Sequence, residues 1–92
     1  MKIRDLKKDV NYIFSHIIDE CYSTLYYSPE VYQEHVISVM ADALEKKNEF
    51  LNLINRSQKI SDKEKKEYLS TLTADIFETS TELIDRLNDF EL

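Results

Sequence analysis

Five side chains around the first break in the chain carry groups that a transition metal accepts: His16, Asp19, Glu20, Glu34 and His35. Imidazole nitrogens and carboxylate oxygens both suit zinc, provided that three or four of them converge. His16 and Glu20 stand at i,i+4 spacing, one turn apart on a helix. If the chain folds back around Tyr27, position 16 comes opposite about 38 and position 19 opposite about 35, so His35 would neighbour Asp19. The resulting candidate is a small metal-binding helical protein using His16, Glu20 and His35. The paired Glu-x-x-His motifs of helical di-iron proteins are absent from the sequence, however. Surface polar contacts are the favoured reading of these residues, and no metal site or cofactor is assigned.

Covalent chemistry has less to work with. Cys21, the one cysteine, lies on an apolar helical stripe with no evident base beside it, so it reads as buried packing rather than as a nucleophile. It also precludes an internal disulfide and a cysteine-based zinc cluster. No Ser-His-Asp arrangement is apparent, and the acidic residues of the C-terminal third are spaced as a solvated helix face. The chain is read as not an enzyme.

The elements that would position these groups are helices. There is no glycine in 92 residues and a single proline. Tight hairpins, phosphate-cradling loops and glycine helix caps are therefore all disfavoured. The pattern predicts an all-α chain, one domain over 1–92, built as an up-down-up left-handed three-helix bundle with helices near 3–26, 29–56 and 61–90. In the first helix, Ile3, Val10, Phe14, Ile17, Ile18, Cys21 and Leu25 share a face, widened by Leu6 and Ile13. In the second, which begins with Ser28 as cap and Pro29 in the first turn, Val36, Met40, Ala43, Leu44, Leu51 and Ile54 gather on an arc about Met40. Lys47 and Asn48 interrupt this arc. The third opens on a capping-box pattern from Ser61 to Glu64 and continues with Leu69, Leu72, Ile76, Leu83, Leu87 and Phe90. The middle helix carries the broadest apolar arc and is expected to pack against both others.

The N-terminal block, with Lys2, Asp5, Leu6, Lys7, Lys8 and Asp9 followed by an apolar stripe and then Asp19, Glu20 and Cys21, resembles short hypothetical proteins of Bacteroidetes-type bacteria. The likeness covers mostly the first quarter of the chain. It carries no activity with it.

The net charge is −6, and it is unevenly placed. In an up-down-up bundle, one pole collects eleven Lys and Arg residues, from Lys2 and Arg4 to Lys65 and Lys66, against seven acids, a balance of +4. The other has Arg86 alone against eleven acids, a balance of −10. Such a dipole can orient a partner. The interleaved acids and the lack of aromatic–basic alternation argue against nucleic acid. No apolar run is long enough to span a bilayer and no signal-peptide core follows Met1, so no membrane is expected and the expected location is cytoplasmic.

These readings converge on a non-catalytic protein–protein interaction module that self-associates as a homodimer. Its interface is expected on the flanks of helices two and three, through Tyr32, Val39, Phe50, Leu53, Phe77 and Ile84. Further aromatic residues outside the main stripes, Tyr12, Tyr22 and Tyr26, also point to surface contacts.

Overall fold

Pro29 sets the first boundary. Its ring fixes φ near −57°, and with ψ at 149° it stands extended between α1 (Ile3–Tyr27) and α2 (Glu30–Arg56). The Tyr32 amide donates to the Pro29 carbonyl at 3.0 Å, so the helix starts without a side-chain cap. The cap expected from Ser28 is not made, because the proline itself occupies that position. After α2 the chain passes through one 3-10 turn, Ser57–Lys59. Ser57 is buried there, and its hydroxyl donates to the Ile54 carbonyl at 2.6 Å. α3 (Asp62–Asn88) opens differently from the expected capping box. The Ser61 side chain makes no cap bond; its carbonyl instead accepts from the amides of Glu64 and Lys65 at 3.0 and 2.9 Å.

The computed structural model describes residues 3–89. Among them are three long α-helices and the short 3-10 turn, an all-α three-helix bundle, with no cis peptide and no residue at positive φ. Lys2 and Glu91 of the two charged poles, and Phe90 of the third stripe, lie outside the described residues. Hydrogen bonds set the directions of the helices. His35 near the start of α2 meets Arg86 near the end of α3, and Leu53 near the end of α2 meets Tyr68 near the start of α3. These two helices are antiparallel. His16 and Glu20 in the second half of α1 share a groove with Ile84 and Leu87 in the last turns of α3, so those two run in the same direction. The result is a rod of 51 × 18 × 16 Å between its Cα extremes.

α2 packs most extensively against α1, less against α3, and the α1–α3 contact is the smallest of the three. The core runs the length of the rod: Leu6, Val10, Phe14, Ile17 and Cys21 from α1; Val36, Val39, Ala43, Phe50 and Ile54 from α2; Leu69, Leu72, Ile76, Leu83 and Leu87 from α3. The rings of Phe14 and Phe50 meet at 5.8 Å between centroids, a tilted pair at the α1–α2 seam. In α1 and α3 the centres of the expected stripes are buried, with Ile3, Ile13, Ile18 and Leu25 of α1 half-covered against the core.

α2 is turned relative to expectation. Val39 is 0 % exposed and Phe50 5 % exposed, whereas Leu44, expected in the core, is 51 % exposed. The buried residues of α2 recur at steps of three, four, seven and four, centred roughly 60° from Met40 at 100° per residue. Phe50 closes the seam against Phe14, and in that orientation Leu44, about 100° round the helix from the buried centre, faces outward. Lys47 lies between Met40 and the buried arc on the helix and is half-covered.

Candidate interaction surface

Three helices leave three grooves, and their chemistry differs. The α2–α3 groove is polar. Here the His35 Nε2–H donates to the Arg86 carbonyl at 2.6 Å, and the Arg86 guanidinium donates to Asp42 Oδ2 at 2.7 Å. Farther along, the Tyr68 hydroxyl donates to the Leu53 carbonyl at 2.9 Å. The wall between them holds Glu49, Asp75, Glu78 and Glu82 around Lys46. Asp42 and Asp75 thus sit along the middle of the bundle rather than at its acidic pole.

The α1–α3 groove is mixed. His16 and Glu20 line it together with Ile84 and Asn88, and the Tyr12 ring lies parallel to the His16 ring on the outer face of α1, 6.5 Å between centroids. Phe77, one heptad before Ile84, is exposed on the same flank. His35 therefore faces the α2–α3 seam while His16 and Glu20 line the α1–α3 groove. The three proposed ligands therefore do not converge, with His35 on a different side of the bundle from His16 and Glu20. Among the described residues, no three of His, Cys, Asp and Glu form a group that could hold a metal ion.

The α1–α2 face is apolar. On α2, His35, Asp42 and Leu53 mark the side turned to α3, so Ile37, Met40, Leu44 and Leu51 occupy the side turned away from it. On α1, His16 and Glu20 mark the α3 side, leaving Ile18, Tyr22 and Leu25 on the flank that borders α2. Tyr22 is 60 % exposed, Ile37 52 % and Leu44 51 %, with Ile18, Met40, Leu25 and Leu51 half-covered between and beside them. The outward positions of α2 from Ile37 to Asn55 on this side carry one charge, Lys47. Large apolar residues gathered on one face with few charges are the usual mark of a contact surface.

The interface expected from sequence does not assemble as one surface. Val39 and Phe50 are core residues. Tyr32 and Leu53 are half-covered on α2, with Leu53 in the α3-facing groove, while Phe77 and Ile84 stand on the α1-facing flank of α3. Sequence reasoning missed Ile37 and placed Leu44 inside. The signal was present: Ile37, Met40, Leu44 and Leu51 repeat at steps of three, four and seven, a second seam on the same helix.

Burial pushes the Cys21 thiol up from its ordinary value, with the Glu20 carboxylate adding to the effect. Among the described residues, no helix is long and apolar enough to cross a membrane. Comparison with protein-family models, curated proteins and solved structures gives no match.

Proposed function

We propose that this chain is a non-catalytic protein–protein interaction module that self-associates, and that its working surface is the α1–α2 face. The observation that carries the reading is the pair Ile37 and Leu44, large aliphatic side chains left half in water on the helix that also supplies the centre of the core. Covering them, together with Tyr22, would remove apolar area from water at about 25 cal/mol per Å². Tyr and aliphatic side chains with few charges are also the composition found at the centres of protein interfaces. The Cys21 thiol, the one nucleophile candidate read from the sequence, is buried and pushed up by burial, which fits the same reading.

Native mass spectrometry of the purified chain tests this, because it reads oligomer mass and any bound metal in one spectrum. A metal-free dimer in the wild type, lost in Leu44→Glu while Phe77→Glu keeps it, is the expected result. A monomer carrying one metal, lost in His16→Ala, would favour the metal-binding alternative instead.

A further inference from the structure

We infer that the occupant of the α1–α2 face is a second copy of this chain, docked antiparallel about a two-fold axis beside Leu44, so that α2 lies on the partner's α2 and each basic pole lies along the other copy's acidic pole. The inference rests on the self-association proposed above and adds the arrangement.

Two observations carry it. The first is the symmetry of the apolar run. Ile37 and Leu51 lie seven residues on either side of Leu44, about 10 Å each way along the helix. A two-fold axis at Leu44 therefore places Leu44 against its own copy and Ile37 against Leu51 at both ends. Met40, Ala41, Lys47 and Asn48 then flank the axis, Met40 opposite the partner's Asn48 and Ala41 opposite its Lys47, whose ammonium is free to reach the edge.

The second is charge. Where the face approaches the start of α1 it is bounded by Arg4, Lys7 and Lys8; where it approaches the α1–α2 connection it is bounded by Asp19, Glu30 and Glu34. Face-to-face packing allows two closed arrangements. With the axis along the rod, like poles lie side by side and repel. With the axis across the rod, each basic end meets an acidic end. Like-charge juxtaposition is what rejects wrong dockings at interfaces, so the crosswise axis is selected.

Single cysteines placed on the full chain test the arrangement. Under mild oxidation Leu44→Cys should convert to a covalent dimer, because a disulfide forms only when the two Cα atoms come within about 7 Å. Ile37→Cys and Leu51→Cys should each stay unlinked alone and link to each other when mixed. The wild type, with Cys21 buried in the core, should not link. Raising the salt concentration should weaken the non-covalent dimer. A dimer by sedimentation in which neither Leu44→Cys nor the mixed pair links would overturn the arrangement and leave self-association standing. Self-linking of Ile37→Cys would show parallel α2 pairing and also overturn it. A wild type that stays monomeric at every concentration would sink both the arrangement and the reading beneath it.

Discussion

Arg86 and Asp42 bind α3 to the middle of α2 through one charged hydrogen bond of 2.7 Å, with each side chain about two-fifths exposed. The Arg86 residue is used twice, since its carbonyl also accepts from His35, one heptad before Asp42 on the same helix. The α2–α3 seam is thus fixed in register by polar contacts at its open end and by the Tyr68–Leu53 bond at the other.

Partial exposure limits what the ion pair contributes. Asp42→Ala is expected to lower stability by less than about 1 kcal/mol, the range for ion pairs in contact with water. A double-mutant cycle with Arg86→Met, read by urea denaturation, should give a coupling of the same order that shrinks as salt is added. A coupling several times larger would mean that the pair is far better shielded than its exposure indicates.

The core positions behave differently. Ile17→Asp and Leu72→Asp bury a charge with no partner, which costs several kcal/mol or more and is comparable to the whole stability of a small domain. Circular dichroism should show loss of the cooperative thermal transition in both. Phe50→Glu belongs with these two and is expected to unfold the chain, since its ring is packed against Phe14.

Removing the Tyr68 hydroxyl isolates one seam contact. Tyr68→Phe keeps the ring and loses the bond to the Leu53 carbonyl, for an expected cost of about 1 kcal/mol. Chemical denaturation should show a lower midpoint with an unchanged slope.

Cys21 gives a pH signature. Its folded thiol binds its proton more tightly than the unfolded one, so its contribution is fully present below the unfolded thiol value. It declines as pH rises toward the folded value, because the unfolded chain then releases a proton that the folded chain retains. Wild type should therefore lose more stability than Cys21→Ser between neutral and mildly alkaline pH. Equal losses in the two proteins would place the thiol in water.

The helices and their faces were largely legible in the sequence, for reasons visible in particular residues. Val10, Phe14, Ile17 and Cys21 alternate four and three and have no competing stripe, so α1 could be oriented from spacing alone. α2 could not, because it carries two seams about 60° to 100° apart. Periodicity shows that both are apolar and says nothing of which one a neighbour covers. That depended on Phe50 reaching Phe14, a contact between distant segments. The metal candidate failed to converge for a related cause: His35 faces a backbone carbonyl on α3, a helix that the α1–α2 hairpin alone does not contain.

The unequal packing of the three helices also predicts an order of assembly. Two residues separate α1 from α2, and these two share the largest interface, so closing their hairpin costs little loop entropy and gains most of its contacts at once. α3 then adds to a preformed pair, chiefly through α2. Substitutions at the Phe14–Phe50 contact should slow refolding, whereas Tyr68→Phe should leave the refolding rate nearly unchanged and speed unfolding. A hairpin that forms first would also expose its apolar outer seam before α3 arrives, so the encounter of two copies can precede completion of either fold.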